Sequence, residues 1–138
     1  GAVFAFTVPN PGYRNELAVP RILQMMGFRG AARCYTEWFM RVTRTVNLLD
    51  QSGWAQKLDS TGFEVEESFN YFSPASLAML EWGHYFGVPC VLVKAFTGRW
   101  ILVRKRWNLA LTRAYVERFY REQPMENGTY TFYKARKR

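Results

Sequence analysis

The stretch WAQKLDSTGFEVEESFNYF, residues 54–72, decides the fold. Its first half predicts a helix, and Gly62 supplies the left-handed residue with which helices commonly end. The residues from Asp50 to Ser52 precede this helix and can cap its N-terminus. The second half, from Phe63 to Phe72, then predicts a β-strand. A capped helix followed directly by a strand is therefore the framework around which we place the other segments.

Alternation along this strand predicts one buried and one solvated face, because successive side chains point to opposite sides. The solvated face carries Glu64, Glu66, Ser68 and Asn70. The other face carries four apolar side chains and one carboxylate, namely Phe63, Val65, Glu67, Phe69 and Tyr71. We expect this second face to be buried except at Glu67.

Two further strands are predicted towards the two ends of the chain. The run from Val3 to Val8 is rich in β-forming residues, and Pro9 to Gly12 stop it with a turn. This run lacks polar alternation and charge, so we expect it to be buried on both faces. Later, Asn127-Gly128 marks a turn, and Thr129 to Tyr133 has high β propensity.

Apolar residues at helical spacing fill much of the remainder. Two helical stretches are predicted between Glu16 and Val46, with a break at Gly27 to Gly30. Another begins with Ser73 as N-cap and Pro74 in the first helical position, and it extends to Gly87.

The segment after Gly87 is also predicted to be helical, with interruptions at Val88-Pro89 and at Gly98. A long helix from about Arg99 to Gln123 follows, because its apolar residues form one broad face. Pro124 ends it.

The composition is that of a globular chain. At 138 residues and 49% hydrophobic content, one domain with its own core is expected. The formal net charge of +8 favours anionic partners, although a basic soluble protein without such a partner has the same charge. Cys34 and Cys90 lie among apolar residues, so we expect reduced thiols in the core.

The first residues bear on localisation. The run from Val3 to Val8 is too short for the apolar region of a signal peptide and has no basic residue before it. We therefore expect a cytoplasmic protein. The chain enters a strand with neither an initiator methionine nor a leader, which favours a fragment or a trimmed chain.

Three segments resemble, in order, parts of the C-terminal half of class I S-adenosylmethionine-dependent methyltransferases. Gly1 to Pro9 resembles the family's fifth strand, which follows a glycine-rich turn and ends in proline. Trp54 to Glu66 resembles the helix and sixth strand, with Thr61 in place of the usual alanine. Gly128 to Lys137 resembles the closing seventh strand.

The resemblance implies an α/β fold, the C-terminal half of a Rossmann-like methyltransferase sheet with strand order 5-7-6 and an antiparallel last strand. Residues 1–138 would then form a single partial methyltransferase domain. Residues 73–127 would form a helical insertion or lid between the sixth and seventh strands, where the family's connection is usually short.

The cofactor that the resemblance implies for the intact protein is S-adenosyl-L-methionine. The family binds it through a glycine-rich turn after the first strand and an acidic residue after the second, and this sequence contains neither. We expect the isolated chain to bind the cofactor poorly. A missing N-terminal half or a homodimer is the expected assembly.

Candidate substrate-binding residues follow the first strand, where doubly wound folds place their ligands. Asn10 and Tyr13 could contact the substrate, and Arg14 could hold an anionic group. The alternative is that these residues only form a turn, with Arg14 in solvent. Arg41 and Arg44, at i and i+3 of a predicted helix, could grip a phosphate or carboxylate or could equally lie on a solvated face.

His84 is the only histidine and the candidate catalytic residue. A neutral imidazole could remove the proton as an oxygen or nitrogen of the acceptor attacks the methyl group. The neighbouring Tyr85 is a candidate substrate contact. The alternative is a packed or interfacial histidine on an aromatic helix. No metal is implied, because a single histidine has no partners at ligand spacing.

The segment from Leu77 to Val103 is apolar and aromatic, with Lys94, Arg99 and Arg104 to Arg106 in or beside it. This mixture suits a membrane surface, although charges and breaks interrupt every window long enough to span a bilayer. A lid or dimer contact over a substrate pocket is the alternative, and a lipid-like acceptor fits both. Nucleic acid is not an expected partner, because no recognition motif is present.

Two functions of different classes remain open from the sequence. The first is methyl transfer to a small-molecule or lipid-like acceptor in the intact protein, with this chain supplying acceptor contacts and a lid. The second is a noncatalytic module that binds a membrane interface or another subunit.

Overall fold

The computed structural model describes residues 1–100 and 110–138, and it is a mixed α/β chain. In chain order its elements are β1 (Val3–Pro9), α1 (Pro11–Asn15), α2 (Ala18–Met25), α3 (Arg29–Val42), α4 (Gln51–Ser60), β2 (Phe63–Tyr71), α5 (Pro74–Phe86), α6 (Val88–Thr97), α7 (Ala110–Val116), a 3-10 turn (Glu117–Phe119) and β3 (Tyr130–Lys137).

The three strands form one sheet in the order β1-β3-β2, and β3 is antiparallel to both of its neighbours. β1 and β2 therefore run parallel to each other on either side of β3. This strand order and the direction of the last strand are those predicted from the sequence. Pro9 and Tyr71 both lie opposite Tyr130, so the C-terminal ends of β1 and β2 meet at one end of the sheet.

β1 is largely exposed, and the expectation that it is buried on both faces is wrong. Val3 and Phe4 are 51% and 49% exposed. The reason is its position: among the described residues β1 pairs only with β3 and so forms an edge of the sheet. Phe6, Val8 and Pro9 are partly covered, and Phe6 stacks on Tyr133 with ring centroids 5.2 Å apart.

A bulge in β2 breaks the predicted alternation. The extra residue, Glu66, has no opposite residue in β3. Val65 lies before the bulge and shares a face with Ala135, whereas Phe69 lies after it and stacks on Phe132 on the other face. The prediction of one continuous apolar face along this strand is therefore wrong.

Buried apolar side chains form two clusters among the described residues. One lies between α4 and the sheet and contains Leu58, Tyr133 and Ala135. The other joins the helices α1, α3 and α5 with the segment before α2, and it contains Tyr13, Leu17, Phe39 and Leu77. This second cluster reaches the sheet at Tyr130, so it supports the end at which β1 and β2 stop.

The predicted caps are confirmed. Asp50 accepts a hydrogen bond from the backbone N–H of Gly53 at 2.8 Å, and α4 is followed by Gly62 with a φ of 81°. Ser73 accepts from the backbone N–H of Ser76 at 3.0 Å, which caps α5. Local side-chain chemistry thus determines where these helices begin and end.

Two other expectations need correction. The predicted helix from Arg99 to Gln123 does not extend that far, because α7 ends at Val116 and a 3-10 turn follows; residues 101–109 of that prediction lie outside the described residues. Cys34 and Cys90 are free thiols, but both are exposed and not in the core. Cys34 lies on an exposed position of α3, and Cys90 lies on the side of α6 that lines an open cavity, so neither thiol packs into a core cluster.

No helix in the described parts of the chain combines the length and the apolar character that crossing a membrane requires.

Candidate functional site

A polar pocket lies where β1 and β2 end, and we call it the strand-end pocket. Its volume is about 460 Å³. The loop after β1, the start of α4, the end of β2 and the turn before β3 each contribute to it. Its polar lining includes Asn10, Asp50, Asn70, Glu126 and Thr131. The chain segment that was predicted to lie at the mouth of a site, from Pro9 onwards, therefore does border a pocket.

Asn10 is the centre of the hydrogen-bond network in this pocket. Its side-chain oxygen accepts from the N–H of Gly12 at 2.9 Å and caps α1. Its amide nitrogen donates to the carbonyl of Gly128 at 2.9 Å and to the hydroxyl of Thr131 at 3.1 Å. Asn10 is 7% exposed, so its amide is committed to holding the pocket walls together.

Asn70 links the opposite wall to the same network. Its side-chain oxygen accepts from the Thr131 hydroxyl at 2.7 Å, and its nitrogen donates to the backbone carbonyl of Glu126 at 3.1 Å. Alternation along the strand predicts only a solvated face for Asn70. The bulge at Glu66 is what reverses its orientation, and bulges leave no reliable signal in the sequence.

The pocket favours ligand groups that donate hydrogen bonds. Asp50, Glu16 and Glu126 all line it, and Glu16 is paired with Arg21 at 2.6 Å. The N–H of Gly53 and the hydroxyl of Ser52 hold the pKa of Asp50 below its usual value, so this carboxylate is ionised at neutral pH. Residues 1–100 and 110–138 contain no group of three side chains suited to binding a metal ion.

Tyr13 and Arg14, the other substrate contacts predicted in this loop, do not face the strand-end pocket's polar network as Asn10 does. Tyr13 is 1% exposed and packs on Tyr130, with ring centroids 5.6 Å apart, so it supports the pocket from the core and has no surface for a substrate. Burial raises the pKa of Tyr13. Arg14 is exposed on α1 and forms no ion pair with another described residue.

Arg41 and Arg44 do not share a helix as predicted. α3 ends at Val42, and Arg44 lies beyond it with a φ of 53°, the left-handed conformation. Its N–H bonds the carbonyl of Arg41 at 3.2 Å, and the N–H of Thr45 bonds that of Met40 at 2.9 Å, which together form a Schellman ending. Arg44 occupies the position that glycine usually takes, so the i and i+3 pairing on one helix is wrong.

A second, apolar cavity lies between α5, the start of α6 and α7, and we call it the helical cavity. Its volume is about 790 Å³. The described lining is mostly apolar and includes Leu80, Gly83, His84, Cys90, Thr112 and Val116. A Cβ added at Gly83 would meet no atom within 4 Å, so the glycine leaves this wall open. A cavity of this size and lining suits an apolar small molecule.

His84 is the polar side chain best suited to chemistry in the helical cavity. Its Nδ1 lies 2.8 Å from the backbone carbonyl of Leu80, and its ring packs edge-on against Phe39 with centroids 5.4 Å apart. A carbonyl oxygen can only accept, so Nδ1 carries the proton and Nε2 of the neutral ring has a free lone pair. The predicted base therefore has the tautomer that a proton acceptor at Nε2 needs.

Tyr85 lies on the same helix and bonds within the chain. Its hydroxyl donates to that of Tyr35 at 2.6 Å. Burial first, and then the hydrogen bond with Tyr85 and the nearby Glu81 carboxylate, raise the pKa of Tyr35 strongly, so the phenol stays protonated. Tyr85 therefore connects α5 to α3.

Glu81 is a structural residue that sequence reasoning did not single out. It is fully buried, and its two oxygens accept the backbone N–H groups of Ala18 at 2.6 Å and Val19 at 3.2 Å. It thus caps α2, whose own N-cap residue, Leu17, has no polar side chain. The sequence does contain a signal for this role, because Glu81 lies on the same face of the helix as the apolar Leu77 and Leu80.

Glu122 performs the corresponding role at the start of α5. Its carboxylate accepts from the Ser73 hydroxyl at 2.5 Å, the Ser73 N–H at 3.1 Å and the Ser76 hydroxyl at 2.8 Å. Partial burial pushes the pKa of Glu122 up, but these hydrogen bonds outweigh it and leave the pKa lowered. This contact fixes the segment after the 3-10 turn against α5.

Comparison of the chain with protein-family models, with curated proteins and with solved structures finds no match in any of the three.

Proposed function

We propose that this chain forms the acceptor-side half of an S-adenosylmethionine-dependent methyltransferase whose acceptor is an apolar, lipid-like small molecule. The observation that carries the proposal is the sheet. β1 and β2 run parallel on either side of an antiparallel β3, and a polar pocket lies at the C-terminal ends of β1 and β2. In open α/β sheets, ligands bind at that end of the parallel strands.

The edge position of β1 supports the same interpretation. An apolar strand with Val3 and Phe4 half exposed is unusual for the edge of a finished sheet, because free strand edges are normally short, charged or covered. A further strand beside β1 would cover both side chains and the free backbone groups. In the proposal, that strand belongs to the half of the protein that binds the cofactor.

The described residues do not form a cofactor site by themselves. The strand-end pocket offers amide and carboxylate groups, but no glycine-rich turn follows β1 or β2 in the sequence. The cofactor, when bound by the complete protein, supplies an electrophilic methyl group. This chain's residues would bind the acceptor and take up a proton.

His84 is the proposed proton acceptor. His84 would accept, at Nε2, the proton that the acceptor's oxygen or nitrogen loses, while Nδ1–H stays bonded to the Leu80 carbonyl. The apolar lining of the helical cavity holds the acceptor's hydrocarbon part in a fixed position. Positioning of this kind is the main contribution expected of the protein in a displacement reaction.

Transfer of tritium from S-adenosyl-[methyl-³H]methionine to an apolar extract tests the proposal, using the full product of the gene that encodes this chain. We expect incorporation, and we expect His84→Gln to lower kcat by about a hundredfold with little change in the acceptor's KM. Gly83→Leu fills the cavity and should raise that KM, whereas Gly30→Leu, at a glycine with equally open surroundings on α3, should not. No incorporation, or normal kcat in His84→Gln, would contradict the proposal.

A second candidate function is subunit interaction without catalysis. The exposed edge of β1 favours it, because an unpaired edge can pair with a strand of another chain. Light scattering separates the two candidates. A dimer that Val3→Lys with Ala5→Lys dissociates, in a protein that transfers no methyl group, would favour the second.

A further inference from the structure

The outer surface of α6 is apolar and uncovered. α6 has no buried residue, and its exposed apolar side chains, which we call the apolar stripe, are Val88, Val91, Leu92 and Phe96. Their exposed fractions range from 53% to 88%. Spacings of three and four residues place all four on one side of the helix.

The opposite side of α6 faces the protein. Gly87 and Cys90 line the helical cavity, and Val93 is half-buried. The orientation of the helix is therefore fixed by its inner side, and the stripe points away from the chain. A stripe of this kind costs free energy in water unless something covers it.

Positive charge is concentrated in the part of the sequence that contains the stripe. The segment from Val88 to Arg121 contains eight Lys and Arg residues and a single acidic residue, Glu117, and so carries +7 of the chain's net charge of +8. Residues 1–87, by contrast, contain seven basic and eight acidic residues. The exposed cations among the described residues of this segment are Lys94, Arg99, Arg113, Arg118 and Arg121.

Lys94 and Trp100 flank the stripe in an arrangement suited to an interface between water and hydrocarbon. The Lys94 ammonium lies 4.1 Å from the centroid of the Trp100 ring, and Trp100 is 55% exposed. Lysine can extend its charge to water while its stem lies along apolar surface, and tryptophan favours the same boundary.

We propose that α6 docks this protein onto an anionic lipid bilayer. The apolar stripe enters the boundary between headgroups and acyl chains, and the exposed cations of the same segment, Lys94 and Arg99 among them, bind anionic headgroups. A bilayer accommodates both features at once, whereas nucleic acid would engage the cations and leave the stripe uncovered. One consequence rests on the proposed function: the helical cavity, on the inner side of α6, would receive its acceptor from the membrane.

Vesicle sedimentation of the whole chain tests the docking, independently of methyl transfer. The probes are phosphatidylcholine vesicles with about a third phosphatidylserine, and vesicles of phosphatidylcholine alone. Leu92→Glu with Phe96→Glu places two carboxylates in the stripe. Met25→Glu with Met26→Glu is the matched control, because those side chains, at the end of α2, are 88% and 62% exposed and the change in charge is the same.

We expect binding to the anionic vesicles, a loss of about tenfold or more in the stripe variant, and a loss of no more than about twofold in the control. Circular dichroism and thermal melting check that both variants fold. Equal weakening of both variants, or no binding by the unaltered chain, would overturn the proposal. It would also be overturned if the stripe variant only dissociated a dimer in light scattering, or if a labelled oligonucleotide bound the chain while vesicles did not.

Discussion

The strand-end pocket and the apolar stripe on α6 differ in how completely their chemical groups are satisfied. Around Asn10, every amide hydrogen-bonding atom has a partner within the chain, and the residue is 7% exposed. On α6, the side chain of Phe96 is 88% exposed and contacts solvent. Satisfied polar groups fix a structure, whereas uncovered apolar surface indicates a role that the isolated chain does not fulfil.

Truncating one leucine in the core and one in the apolar stripe should give the largest difference in the free energy of unfolding. Leu77 is fully buried in the core cluster, whereas Leu92 is 58% exposed in the stripe. We expect Leu77→Ala to lower the free energy of unfolding by about 3 kcal/mol and Leu92→Ala by less than about 0.5 kcal/mol. Urea denaturation measures both. Similar losses in the two variants would mean that α6 is packed against the chain more tightly than the exposed fractions indicate.

Removal of the buried Glu81 carboxylate should have a smaller effect of a different origin. Glu81→Ala leaves the N–H groups of Ala18 and Val19 without an acceptor, so we expect a loss of about 2 kcal/mol. Glu37→Ala is the control, because Glu37 forms only an exposed pair with Arg33 at 3.2 Å and should cost about 0.3 kcal/mol. Equal costs in thermal or urea unfolding would show that Glu81 does not cap α2.

The smallest effect concerns how the free energy of unfolding changes with pH in acid solution. The pKa of Glu122 is lowered in the folded chain, so its contribution is present above its ordinary pKa of 4.5 and is lost as the pH falls through the lower folded value. Glu122→Gln should therefore weaken the chain at neutral pH and make stability fall less steeply below about pH 4.5. Urea midpoints measured across that range, beside those of Glu37→Gln, check the slope. If the urea midpoints of Glu122→Gln fell with pH as steeply as those of the unaltered chain, the proposed hydrogen bonds of the Glu122 carboxylate to Ser73 and Ser76 would be contradicted.

Much of the fold follows from local signals that need no knowledge of distant contacts. Asp50, Gly62 and Ser73 each act within three or four residues, and each was placed correctly. The failure at β1 arose from a long-range effect, whereas Arg44 was misplaced because of the local ending of α3. Val3 and Phe4 were expected inside because apolar runs usually are, but burial depends on whether a neighbouring strand exists.

The site shows the same division. Strand order predicts that the loop after β1 lies near a pocket. It does not predict what the individual side chains of the pocket do. Tyr13 packs into the core because Tyr130, more than a hundred residues later, lies against it. Asn70 reaches the pocket only because Glu66 forms a bulge. Pairings between distant segments of this kind are invisible to spacing and periodicity.

The most direct test of the half-sheet on which the proposed function depends is hydrogen exchange at the backbone of β1. In the isolated chain, the alternate amides of residues 3–8 that point away from β3 should exchange rapidly, because no strand in the described parts of the chain pairs with that edge. In the full product of the gene, we expect the same amides to be protected by a neighbouring parallel strand. Rapid exchange of these amides in both proteins would contradict it.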